Sequence, residues 1–253
     1  MSKQLQTRIM KLSSAPVGFG DVADELEPHM FTTAMPVQHS HSDYEDDDIG
    51  LYVGVWDTND MHETPGPYAM DEFMWLIEGQ AVIKNCATGE LETVYAGEAF
   101  VIPKGYECQW QQQGYLRKFY VISEHPDEAI PAAPTIEGIV KPHANAAQLS
   151  VDAHAFFNIA GPAPTQHQDI SYRNGNGKFT AGTFDSTAFK SNRQAFAANQ
   201  FVYLLQGTLS ISDEHGQAHI FNKGDAFFIP QGTECAWQCG DYIRFNFARL
   251  QAS

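Results

Sequence analysis

The chain has 253 residues, 43 % of them hydrophobic, and a formal charge of −16. That balance argues against nucleic acid as a partner, because such binding draws its affinity from basic side chains that neutralise phosphates. No window approaches the ~18 apolar residues of a membrane span, Met1 to Ser14 lack the apolar stretch of a secretory signal, and Cys86, Cys108, Cys235 and Cys239 form no C-x2-C pair, so the expected setting is a reduced cytoplasm with no membrane partner.

In chain order, residues 1–49 read as an N-terminal arm. Its run Asp43-Tyr44-Glu45-Asp46-Asp47-Asp48 reads as a solvated segment, without the ligand alternation and turn glycine of an EF-hand loop. Short strands then follow, broken by Gly, Pro and Asn/Asp turns: Leu51 to Val55, Phe73 to Ile77, Ala81 to Lys84, Ala99 to Ile102 and Phe119 to Ile122. Their aromatic and β-branched content predicts an antiparallel sandwich or barrel over 50–124. Residues 125–178 form a connector with lead-in strands, Pro-rich at Ile130 to Pro134 and Gly161 to Pro164. The only hint of helical periodicity is at Ala144 to Phe157.

Residues 179–253 repeat the first pattern. Gly97-Glu98-Ala99-Phe100-Val101-Ile102-Pro103-Lys104-Gly105-Tyr106-Glu107-Cys108-Gln109-Trp110 returns as Gly224-Asp225-Ala226-Phe227-Phe228-Ile229-Pro230-Gln231-Gly232-Thr233-Glu234-Cys235-Ala236-Trp237, in the frame G-x5-P-x-G-x2-C-x-W. Glu72 to Gly79 likewise answers Gln200 to Gly207 at an offset of 128. The offset becomes 127 after the polar turn Asn85 to Glu90, where a hairpin tolerates an inserted residue. Two diverged copies of one domain are expected. In Phe73 to Ile77 both faces are apolar, which predicts a strand covered on both sides. That suggests two barrels docked as a pseudo-symmetric pair.

The repeated frame resembles the second motif of the RmlC-like cupin superfamily. The stretches Asp71 to Gly79, Pro103-Lys104-Gly105 and Arg117-Lys118-Phe119 are similar to the DUF861 group, which includes ethanolamine-utilisation cupins and, more distantly, ureidoglycine aminohydrolases. The resemblance covers about residues 50–123 and 179–248. It implies an all-β chain of two tandem cupin jelly-roll barrels (double-stranded β-helix). It also implies a metal held by one glutamate and three histidines, a set this sequence does not keep. Glu72 falls on the glutamate, but the histidine pair falls on Gly66 and Tyr68 or on Pro65 and Pro67, and Cys108 stands at the last histidine. In the second copy the same positions hold Gln200 and Cys235, with Gln194 and Phe196 or Arg193 and Ala195 at the pair.

One carboxylate and one thiol make a poor centre for Mn or Fe. The first expectation is therefore a metal-free barrel that binds a small molecule. Its lining is expected to draw on Glu72, Met74, Cys108, Trp110 and Tyr120, with Gln200, Cys235 and Trp237 in a degenerate second barrel. Glu72 is the candidate acid/base, since burial would raise its pKa. Cys108 is expected to be an inert buried thiol, because a neighbouring carboxylate disfavours the thiolate. The alternative is a Zn or Mn enzyme of isomerase or amidohydrolase type acting on a small carboxylate or ureide, with His62 joining Glu72 and Cys108. His39 and His41 are weaker donors for such a repair, and a scaffold role is a third reading. Arg117 and Arg244 begin matched strands and suit ion pairs. Homodimer formation stays open.

Overall fold

Period-two burial builds the strands. In Gln80–Asn85 the buried positions are Ala81, Ile83 and Asn85, and in Glu107–Gln112 they are Cys108, Trp110 and Gln112. The computed structural model describes residues 7–124, 138–143, 150, 152 and 156–251. Ile130 to Pro134, and the helical expectation at Ala144 to Phe157 except for its last two residues and Ser150 and Asp152, lie outside them. Among the described residues the regular structure is β-strand, apart from one short 3-10 turn at Pro28–Met30.

The strands in order are β1 (Met10–Leu12), β2 (Gln38–Asp46), β3 (Leu51–Thr58), β4 (Met61–His62), β5 (Gly66–Pro67), β6 (Asp71–Glu78), β7 (Gln80–Asn85), β8 (Leu91–Tyr95), β9 (Ala99–Ile102), β10 (Glu107–Gln112) and β11 (Leu116–Ser123). They continue with β12 (Gln166–Arg173), β13 (Phe179–Lys190), β14 (Gln194–Ala195), β15 (Asn199–Gln206), β16 (Thr208–Ser212), β17 (Ala218–Asn222), β18 (Ala226–Ile229) and β19 (Glu234–Leu250). The chain divides into a first unit, Ser13–Lys141, and a second that joins Met1–Leu12 to Pro142–Ser253.

In the first unit one sheet runs β2-β3-β11-β6-β9 and another β4-β10-β7-β8, with β5 on β10. All these pairs are antiparallel. Between them lies a core of Met61, Met74, Leu76, Ile83, Phe100, Ile102 and Trp110. Gln38–Asp46, within the expected arm, is the edge strand β2. Tyr44 and Asp46 are buried while Glu45 is exposed; Asp43 to Asp46 of the acidic run lie in β2, and Asp47 and Asp48 in the turn after it. Carboxylates along an outer strand also discourage edge-to-edge pairing.

The second unit repeats this plan in a sheet ordered β1-β18-β15-β19-β13-β12, with β14 and the β16-β17 hairpin attached to it. The repeated frame has the same work in both units. Gly97 donates its amide to Leu76 O and Gly105 to Tyr68 O, just as Gly224 does to Leu204 O and Gly232 to Phe196 O. The amide of Lys104 is held by Asp71 Oδ1 and that of Gln231 by Asn199 Oδ1, at 2.8 and 2.9 Å. Gly79 and Gly207 turn at φ +80° and +86°, and a Cβ there would meet Tyr115 O or Tyr242 O at 2.1 or 2.0 Å. Only glycine meets both demands.

Candidate functional site

The interior of the first unit holds a cavity of about 400 Å³. On β11 the residues Lys118, Tyr120 and Ile122 share one face, pairing with Trp56, Gly54 and Tyr52 of β3. On the other side they pair with Leu76, Met74 and Glu72 of β6. Gly54 is needed in this row because a Cβ would meet His41 O at 2.0 Å and the Tyr120 hydroxyl at 2.7 Å.

Lys118 is buried, and its ammonium lies 2.7 Å from Glu72 Oε1 and 3.1 Å from Met74 Sδ. The same nitrogen stands 4.6 Å from the Trp56 ring and 4.8 Å from the Trp110 ring. The indoles meet edge to face at 6.0 Å, and Trp110 is fixed by its Nε1 donating to Gln112 Oε1 at 3.0 Å. A cation between two indole faces is stabilised by their quadrupoles, more so away from water. Glu72 Oε2 accepts the hydroxyl of Tyr68. Burial and the Glu72 charge hold the Tyr68 phenol well above its ordinary range, so it stays a donor. Tyr68 is positioned by the repeated frame, through the hydrogen bonds of Tyr68 N to Tyr106 O and Gly105 N to Tyr68 O.

Glu63 completes the cavity. Its backbone amide bonds Trp110 O, but among the described residues no hydrogen bond reaches its carboxyl. Burial pushes its pKa up to about 7; Lys118 opposes the shift and the Glu72 charge adds to it. A carboxyl free of partners and half ionised at neutral pH can pair with a ligand or exchange a proton with it.

Of the residues expected in the first site, Glu72, Trp110 and Tyr120 line the cavity. Met74 lies beneath it against Lys118, and Cys108 belongs to the buried apolar core. Burial first, then the charge of Glu63, pushes the Cys108 thiol up to about 12, which leaves it protonated. His62 sits in β4 opposite Gln111 and does not line the cavity. His39 and His41 lie on β2, paired with Asp57 at 2.7 Å and Asp43 at 3.6 Å. Among the described residues no three His, Cys, Asp or Glu side chains are grouped to hold a metal ion. The metal alternative built on Glu72, Cys108 and His62 therefore has no geometric support, and Glu72 has its two oxygens engaged by an ammonium and a phenol. The residues present do not fit the metal that the cupin resemblance implies.

The second unit does not carry this arrangement. At the repeat offset, Trp56, Glu63, Tyr68, Glu72 and Lys118 become Phe184, Ser191, Phe196, Gln200 and Phe245. Rings fill the interior: Trp237 stacks on Phe196 at 5.5 Å and 10°, and Phe157 from the connector lies 5.2 Å from it. Gln200 Oε1 accepts Arg249 Nε at 2.7 Å, and the Arg249 guanidinium lies over Phe156 at 4.1 Å. Cys235 is buried beside Trp237 in this core, its thiol pushed up to about 11 by burial.

A family model described as an EutQ-like cupin domain matches residues 174–245, in the second copy. No curated protein sequence matches the chain. A protein of unknown function of the DUF861 family from Pseudomonas syringae pv. tomato is similar in structure, with a TM-score of 0.72 and 18 % identity over 96 % of this chain and 100 % of that one. A putative glyoxylate-induced protein from Pseudomonas aeruginosa has a TM-score of 0.59 and 8 % identity over 100 % and 94 %. The DUF861 protein Ylba from E. coli has a TM-score of 0.53 and 11 % identity over 98 % and 94 %. At such identities the likeness speaks for fold and leaves activity open. Among the described residues no helix is long and apolar enough to cross a membrane. The all-β architecture, the doubled frame and these matches show a cupin fold, within which residues 174–245 are similar to the EutQ-like cupin domain.

Proposed function

We propose that this chain binds a small metabolite in the cavity of its first unit without using a metal, and that the filled second unit serves the fold. The observation that carries the reading is the Lys118–Glu72 pair, 2.7 Å apart between two indoles on the wall of a cavity of about 400 Å³. Ligand pockets of this size combine apolar and aromatic walls with a few fixed polar groups, as here. The ammonium supplies a positive charge beside Glu72, the glutamate that corresponds to the metal ligand in the resemblance. Tyr68 and Lys118 together fix that carboxylate, so Glu72 acts as an anchor and Glu63 is the group left to meet a ligand.

Elemental analysis of protein purified without an affinity tag, followed by thermal-shift screening over a metabolite panel, tests this. The expected result is no stoichiometric metal, and a ligand-induced shift that weakens in Trp110→Ala. Near-stoichiometric metal that disappears in Glu72→Ala would overturn it.

A further inference from the structure

We infer that the ligand of the first-unit cavity is a small organic cation, a single protonated amine on an uncharged body, seated against Glu63 and the aromatic wall. The inference rests on the reading of this cavity as the ligand site. Its charged lining is Asp24, Glu45, Glu63 and Glu72 against Lys118, four carboxyls to one ammonium. Lys118 is matched by Glu72 at 2.7 Å. Asp24 accepts Ser40 N at 3.1 Å and Ser40 Oγ at 2.8 Å. Glu63 alone projects a carboxyl to which no hydrogen bond is made among the described residues. A phosphate or a polycarboxylate entering this wall would meet an excess of carboxyls over its one ammonium, which Glu72 already holds, so such anions are rejected.

The aromatic lining points the same way. Trp56, Tyr68, Trp110 and Tyr120 surround the space, and two of them already hold the Lys118 ammonium at 4.6 and 4.8 Å. The chain thus shows with its own side chain that an ammonium is accommodated here. A ligand amine would have the remaining aromatic lining, Tyr68 and Tyr120, and Glu63 as counter-ion. Desolvated cation–π contacts and a paired carboxylate are the combination that recognises alkylammonium groups.

The pairing carries a proton signature. Glu63 faces Glu72 from β6, Lys118 and Tyr120 from β11, Tyr68 from the segment before β6, and Cys108 from β10, with Asp24 from the segment before β2 and Glu45 of β2 on the same cavity. Tyr68, Tyr120 and Cys108 are all raised and stay neutral near pH 7. Glu63 is therefore the group whose ionisation near about 7 sets the affinity for a cation. An amine of ordinary pKa keeps its proton across that range. Binding should strengthen as pH rises and should release a proton.

Three probes of one shape separate the outcomes: phenethylammonium, phenethyl alcohol and hydrocinnamate, titrated calorimetrically into the full chain at about pH 6 and about pH 8. Phenethylammonium should bind about tenfold more tightly than hydrocinnamate, and its affinity should rise about tenfold between the two pH values. Glu63→Gln should abolish both the preference and the pH dependence. The wild-type pH series needs no variant, so a poorly folding Glu63→Gln leaves the test intact. Equal or tighter binding of hydrocinnamate, or a pH-independent affinity for the amine, overturns the cation assignment and leaves the cavity-binding reading standing. Failure of all three to bind at about 1 mM overturns both.

Discussion

The ammonium of Lys118 lies 2.7 Å from Oε1 of Glu72, with the two side chains 6 % and 5 % exposed. Two charges taken so far from water repay their desolvation only through each other and the groups around them, here Tyr68, Met74 and two indoles. Removing Lys118 alone should leave a buried carboxylate without its cation. Lys118→Ala is predicted to cost ~3–5 kcal/mol, while Glu72→Leu with Lys118→Met recovers most of that loss. Urea unfolding of the single and double variants checks this; a Lys118→Ala loss under ~1 kcal/mol would show that the pair is uncoupled.

Glu63 makes stability depend on pH with a definite sign. An ordinary glutamate titrates near 4.5, and burial moves this one to about 7. The folded state therefore holds the proton more tightly than the unfolded chain does. That contribution is full below about pH 4.5 and is lost as pH rises through about 7. The size is at most ~3 kcal/mol. Wild type should lose stability relative to Glu63→Gln over this window, in denaturant titrations of both proteins at a series of pH values. A constant difference would contradict the prediction.

Four thiols of unequal burial give a counting experiment. Cys86 is exposed, while Cys108, Cys235 and Cys239 are buried. Burial pushes Cys108 up to about 12 and Cys235 up to about 11, so neither supplies thiolate at neutral pH. A thiol-specific reagent at about pH 8 should label Cys86 alone in the native protein and all four cysteines in denaturant. Rapid native labelling of Cys108, located by mass spectrometry, would refute this.

Phe157 fills the second unit from outside its sheet. Its ring is 2 % exposed and lies 5.2 Å from both Phe189 and Trp237 and 6.2 Å from Phe184. Phe157→Ala should cost ~3–5 kcal/mol, the usual range for truncating a buried ring among neighbours that cannot collapse onto it. Equilibrium unfolding measures the loss. A change below ~1 kcal/mol would mean that the interior closes without this residue.

Much of the architecture was legible because the frame glycines and prolines act locally. Ala99–Ile102 could be read to the residue, and the remaining expected strands lie inside longer observed ones. Edge strand β2 escaped notice because its acids mask the alternation that buries Tyr44 and Asp46. In the site, Glu72 could be found from its spacing to Gly79. Lys118 could not. A lysine beside Arg117 in an acidic chain reads as solvated, and its partner lies 46 residues away in sequence. The inward parity it shares with Tyr120 and Ile122 was the available signal. Tyr68 stood at a position judged only for its missing imidazole, and Glu63 lies in a short bridge with no motif around it. Both became visible once the turn at Gly105 and the bond to Trp110 O fixed where those segments run.

Strand β1 gives the second unit a peculiar dependence on time. Met10, Lys11 and Leu12 pair with Phe228, Phe227 and Ala226, so one edge of that unit is supplied by residues synthesised before the whole first unit. Emerging from the ribosome, they must wait through more than two hundred residues before their partner exists. Until they return, the outer side of β18 presents unpaired amides and carbonyls, the kind of edge that invites another chain. A bulky fusion at the N-terminus would therefore burden the half of the molecule that is made last.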